Sequence, residues 1–152
     1  MNSDKEIKQW QMDRNLHLQP VNHRNEIQNI LEEVFEIMGY EAYFDKDGNK
    51  IDIPRQMADK ILFEYYDATA IKPEKVIDGL NDIRVYGTGY QLKMGYDPEK
   101  TILETLMEIN DRTGSYDPKE GKWCKQPQSQ TYKADYSTCK ITSEEIEKYK
   151  WK

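Results

Sequence analysis

Apolar positions return at helical spacing along most of the chain. From Asn22 onward, Ile27, Ile30, Leu31, Val34, Phe35, Ile37 and Met38 recur every three or four residues, which predicts a helix with a wide apolar face over 22–40. Asn22 is placed to cap it and Gly39 to end it. Pro54 precedes a second run over 55–69, with Met57, Ile61, Leu62, Tyr65 and Tyr66 as core candidates. Pro73 opens a third over 74–96, and Asp97 caps a fourth over 98–112, which Gly114 stops. Between the first two runs, YEAYFDKDGNKIDIP alternates in a strand-like way and turns at Asp47-Gly48, a hairpin pattern.

The ends are shorter and more polar. Ser3 with Glu6 spells a capping box for an amphipathic helix through Arg14, carrying Ile7, Trp10 and Met12. Residues 115–152 lack strong periodicity until a second capping box in TSEEIEKYK, yet Trp123, Tyr132 and Tyr136 need packing partners, so this tail reads as an ordered extension. The pattern predicts an all-α fold: a four-helix-bundle core with an N-terminal helical arm and a C-terminal extension.

A length of 152 residues, 37% hydrophobic and 33% charged, suits one domain with a moderate core. No apolar run approaches the roughly 20 residues that span a bilayer, and MNSDKEIKQW has no signal-like stretch. Cytoplasm is the expected location. A net charge of −6 argues against nucleic-acid binding, because phosphate backbones demand basic surface. Cys124 and Cys139 form no CxxC pattern and lie far from His17 and His23, so reduced thiols are expected rather than a zinc site. The run Asp45, Asp47, Asn49 superficially matches a calcium loop, but its Gly comes too early and Gln56 holds the twelfth position, which leaves a plain hairpin or surface loop.

Chemistry concentrates in acids. Glu32, Glu33 and Glu36 fall within about one turn, and Asn22, Glu26, Asn29, Glu33 and Glu36 follow one helix edge. Asp78 and Asp82 are spaced i, i+4 on another helix, where aspartate is a poor helix former and like charges repel. Acid-rich helix edges are usually solvated faces. Two acid pairs on separate helices are also what a hard divalent cation such as Mg²⁺ or Mn²⁺ requires, with Glu33, Glu36, Asp78 and Asp82 as ligands. Gly79, Gly87 and Gly89 each cost about 1 kcal/mol in a helix interior. Close helix packing is expected at Gly87 and Gly89, and room for substrate at Gly79.

The block EEVFE, residues 32–36, resembles the EExxE signature of the MazG-like, all-α nucleoside triphosphate pyrophosphohydrolases, the superfamily that includes dimeric dUTPases and phosphoribosyl-ATP pyrophosphohydrolase. The block DGLNDIRVYGTGYQLKMGYDPEKTILETLMEINDRTG, residues 78–114, is similar to that family's ExxD helix, loop and following helix, and the ending RTGSYDPKEGKW then YKADYSTC resembles the extension of phage-type members. Gly79 stands where the ExxD glutamate is expected, with Asp78 one residue earlier as its replacement, and the 40–54 insertion lengthens the spacer. The resemblance implies a single MazG-like domain over 1–152, with its core at 22–114 and its extension at 115–152.

It also implies hydrolysis of a (d)NTP to (d)NMP and pyrophosphate, with dGTP or another purine dNTP in phage nucleotide-pool control as one substrate class. The alternatives are a dUTP- or dCTP-directed pyrophosphatase and a non-catalytic nucleotide-binding helical oligomer. Glu33, Glu36, Asp82 and Asp78 would hold Mg²⁺ or Mn²⁺, and Glu32 would accept a proton from water. Asn22 and Asn29 are candidates for reading the base, while Asn110, Arg112 and Lys133 are candidate phosphate contacts on charge grounds. Trp10 is a candidate for stacking on a base, with core packing as its competing role. A homodimer or homotetramer is expected to cover the apolar surface that short helices leave.

Overall fold

Side chains that satisfy orphan backbone groups set most element boundaries in the computed structural model, which describes residues 2–126 and 132–148. Helix α1 (Ser3–Asp13) is capped by Asn2, whose Oδ1 accepts from the Lys5 amide at 3.3 Å. The cap therefore falls one residue before the expected Ser3, because Asn caps as well as Ser and precedes it. Helix α2 (His23–Ile37) is capped as expected by Asn22, which accepts from the Asn25 amide at 3.1 Å, and the chain leaves it through Gly39 at φ +98°. Strands β1 (Ala42–Phe44) and β2 (Lys50–Asp52) pair antiparallel with Tyr43 opposite Ile51. Their turn is held by Asp45 Oδ1, which accepts from the amides of Asp47 and Asn49, both at 2.9 Å. These bonds, that from Asn49 foremost, hold the Asp45 carboxyl below its ordinary pKa, as a turn-forming carboxylate requires.

Helix α3 (Ile53–Tyr65) begins two residues earlier than the apolar pattern suggests, because Asp52 rather than Pro54 marks its start: Asp52 Oδ1 accepts from the Arg55 amide at 3.1 Å. Pro54 then fits the first turn, where its missing N–H costs nothing. Helices α4 (Pro73–Lys93) and α5 (Pro98–Asn110) follow, the latter capped by Asp97 through the Glu99 amide at 2.9 Å. Strands β3 (Gly114–Asp117) and β4 (Lys122–Lys125) form a second two-stranded sheet that the sequence pattern did not predict. Helix α6 (Ser143–Lys148) carries the expected reciprocal cap: Thr142 Oγ1 accepts from the Glu145 amide at 3.1 Å, and Glu145 Oε2 from the Thr142 amide at 3.4 Å. Short 3₁₀ turns occupy Leu16–Leu18, Ala68–Ala70 and Tyr136–Thr138. Helices thus dominate the described residues, and strands are confined to two small sheets.

The chain groups into two compact units. The smaller comprises Gln19–Ile71 and Tyr116–Trp123; the larger comprises Met1–Leu18, Lys72–Ser115 and Cys124–Lys152. In the smaller unit α2 packs on α3 over Pro54, Ala58 and Leu62, all buried. Tyr65, expected in that core, is 72% exposed, so the buried stripe of α3 is narrower than its apolar pattern. On α2 the buried residues are Gln28 and Glu32, while Val34, Ile37 and Met38 of the predicted apolar face are exposed.

In the larger unit α1 packs on α5, where the Trp10 indole donates to the Ile109 carbonyl at 3.3 Å, a packing role for that ring. Leu106 and Cys139 are buried there. The extension is ordered where described: Glu108 Oε2 accepts from the Ala134 amide at 2.7 Å, and Glu104 accepts from the Tyr132 hydroxyl and the Asp135 amide. Helix α4 has no buried residue, and a Cβ built on Gly79, Gly87 or Gly89 would meet nothing within 4 Å. The close packing expected at Gly87 and Gly89 is therefore not made within the described chain.

Candidate metal centre

The EEVFE acids sit in the smaller unit, and their surroundings separate them. Glu32 is 6% exposed, and burying a carboxylate is costly unless cations and hydrogen bonds replace water. Two cations do so. Arg55 Nη1 lies 2.8 Å from Glu32 Oε2, and Lys122 Nζ lies 3.2 Å and 3.4 Å from the two oxygens. Arg55 also donates to Asn29 Oδ1 at 3.1 Å, to Gln28 Oε1 at 3.5 Å and to the Glu120 carbonyl at 3.2 Å. The guanidinium fork thus ties α2, the start of α3 and the tip of the second hairpin together, a geometry only arginine offers.

The hairpin tip is shaped to deliver Lys122. The Gly121 amide donates to the Asp117 carbonyl at 2.8 Å, and Gly121 adopts φ +65°. A Cβ there would fall 2.9 Å from Asn25 Cβ, so both the backbone angle and the contact with α2 call for glycine. Asn29 Nδ2 donates to the Gly121 carbonyl at 3.3 Å.

Glu33 and Glu36 are exposed on the same helix. Partial burial, then the charge of Glu33 and a hydrogen bond with it, then the charges of Glu32 and Asp52, push the Glu36 carboxyl up from 4.5 to about 7. Carboxylates crowd here, and the proton on Glu36 relieves their repulsion. Among the described residues, the group of three possible metal ligands whose atoms converge within 4.8 Å is a different one, Asp117, Glu120 and Cys124 of the second hairpin, whereas Glu33 and Glu36 offer a pair of oxygen donors of the kind that hard divalent cations take.

The other expected site residues have these places. Asp78 and Asp82 are exposed on α4 and belong to the larger unit. Asn22 spends its side-chain oxygen as the α2 cap, and both ends of the Asn29 amide are hydrogen-bonded within the smaller unit. Asn110, Arg112 and Lys133 lie in the larger unit: Asn110 and Lys133 are exposed, and Arg112 pairs with Glu108 one turn away. The residues that sequence reasoning missed are Arg55, Lys122, Gln28 and Asp52. For Lys122 a signal existed, since Asp117 and Gly121 four residues apart between YD and KWCK match a short hairpin loop.

No family model, no curated protein and no solved structure matches the chain. No helix among the described residues is long and apolar enough to cross a membrane.

Proposed function

We propose that the chain is a metal-dependent nucleoside triphosphate pyrophosphohydrolase of the MazG-like all-α type, with a four-helix core, converting a (d)NTP to (d)NMP and pyrophosphate in the cytoplasm. The observation that carries this reading is the crowded carboxylate set of the smaller unit, where Glu36 holds its proton up to about 7 beside Glu33, Glu32 and Asp52. Glu33 and Glu36 would hold Mg²⁺ or Mn²⁺. The bound metal supplies charge neutralisation for the triphosphate and an acidified water. Glu32, held by Arg55 and Lys122, fixes the helix edge from which Glu33 and Glu36 project, and this rigidity is what precise positioning of a reacting phosphate requires.

Apolar exposure supports the expected homodimer or homotetramer. Along α4, Ile77, Ile83, Val85, Tyr86 and Tyr90 are all more than half exposed, apolar surface of the kind that a second copy covers.

The test is an end-point assay across all (d)NTPs with Mg²⁺. Pyrophosphate and a monophosphate are the expected products; a diphosphate product contradicts the proposal. The Glu36→Gln variant is expected to lose turnover by at least about a hundredfold with an unchanged helical circular-dichroism spectrum. Retained turnover would remove Glu36 from the site.

A further inference from the structure

The larger unit contains an open cavity of about 360 Å³, lined by Gln91, Met94, Tyr96, Thr101, Thr105 and Tyr136. None of these side chains is charged. Two tyrosine rings and a thioether supply flat and polarisable surface, the walls that aromatic ligands use. Its volume is at the small end of the roughly 300–1,000 Å³ typical of small-molecule sites. The described lining residues carry no charge, and the nearby Lys140 ammonium is engaged over the Tyr96 ring, so an uncharged ring of one or two fused cycles suits these walls better than a polyanion such as a triphosphate.

The polar groups in the cavity are committed in a way that leaves a definite pattern. Thr101, only 8% exposed, shares its hydroxyl proton between Gln91 Oε1 and, at 3.2 Å, the Pro98 carbonyl; with Oε1 turned to Thr101, the Gln91 Nε2 and its two N–H groups face away from it and remain for a ligand. Thr105 Oγ1 donates to the Thr101 carbonyl at 3.3 Å, so its 2.9 Å contact with Tyr136 is made by the phenol donating to Oγ1. The Tyr136 oxygen then keeps lone pairs to accept. A donor pair on one wall and an acceptor on another match the mixed donor and acceptor edge of a heterocyclic amide or amidine.

The walls are tied in place without a ligand. The Asp97 amide donates to the Cys139 carbonyl at 2.8 Å, and the Ile141 amide to the Gly95 carbonyl at 3.0 Å, stitching the turn before α5 to the segment around Cys139. The Lys140 ammonium lies 3.7 Å from the Tyr96 ring centroid and fixes that ring. A cavity held open by hydrogen bonds loses little entropy on binding.

We propose that this cavity binds an uncharged planar heterocycle of nucleobase size, read by the Gln91 amide and the Tyr136 hydroxyl. The proposal stands independently of the metal centre. The test therefore uses phosphate-free, metal-free probes: the four common deoxynucleosides, free adenine and free cytosine, titrated into the full chain and followed by side-chain and backbone NMR shifts, with toluene as a ring lacking polar edges. At least one heterocycle is expected to give saturable shifts at Gln91 Nε2, Thr101 and Thr105, and to bind more tightly than toluene. Gln91→Leu and Tyr136→Phe are each expected to weaken it by about tenfold, the worth of one well-made hydrogen bond. The Phe variant changes a 42% exposed position, so its fold is safe. Absence of shifts at these residues with every heterocycle, equal binding of toluene, or unchanged affinity in Tyr136→Phe would each overturn the proposal.

Discussion

Helices α2 and α4 carry acid pairs at similar spacing, Glu33 with Glu36 and Asp78 with Asp82, yet the two helices have different environments. On α2, Glu32 is buried between Arg55 and Lys122, and its neighbours crowd enough to hold a proton on Glu36. On α4, both aspartates are exposed and the helix buries no residue. Spacing aligns carboxylates on a helix edge, but the elements that pack against that edge decide whether they become an electrostatic site.

The sharpest way to break this comparison is at Glu32. Replacing it by Ala strands Arg55 and Lys122 beside an apolar hole, and removing one partner of a buried pair typically costs about 3–5 kcal/mol. Urea unfolding of Glu32→Ala should show a loss of that order, whereas Asp78→Ala and Asp82→Ala should stay within about 0.5 kcal/mol of the parent. Loss of turnover in Glu32→Gln with no loss of stability would instead place Glu32 in the chemistry.

A smaller effect is set by pH. The folded-state pKa of Glu36 is raised from 4.5 to about 7, so the folded chain binds the extra proton between those values. Its contribution to stability is fully present below pH 4.5 and is lost as the pH rises through about 7. Carboxyl-carbon NMR should find Glu36 titrating well above the other glutamates, and Glu33→Gln should bring it down. Mg²⁺ added above pH 7 should raise the melting temperature by binding the folded state. A Glu36 titration near 4.5 would dissolve the contrast between the helices.

The smallest effect concerns α4 itself. Gly87→Ala and Gly89→Ala meet open space and should each stabilise a monomer by up to about 1 kcal/mol through helix propensity. If a second copy seats on this helix through the glycines, both variants should instead weaken association in sedimentation equilibrium.

Local chemistry made much of the fold legible. Asn22 and Asp97 as caps, Gly39 as a stop, and Asp47-Gly48 as a turn all act within a few residues, and each appears where the sequence places it. The Asn2 cap and the early start of α3 at Ile53 departed from the reading because two nearby residues, Asn2 with Ser3 and Asp52 with Pro54, competed for each boundary. The partners of Glu32 were not legible. Arg55 is 23 residues away and Lys122 is 90, and no periodicity connects such positions. That gap leaves the burial of Glu32 invisible in the sequence of α2 alone, since its two cations come from α3 and the second hairpin.

The division of the smaller unit along the chain sets an order of events during synthesis. Residues 19–71 emerge first with Glu32 and Arg55 among them, while Tyr116–Trp123 follows only after α4 and α5. At ribosomal rates of about 5–20 residues per second, roughly 50 residues separate the two pieces by several seconds. For that interval a half-neutralised carboxylate waits for its second cation, and the nascent smaller unit stays open to solvent until Lys122 arrives to close it.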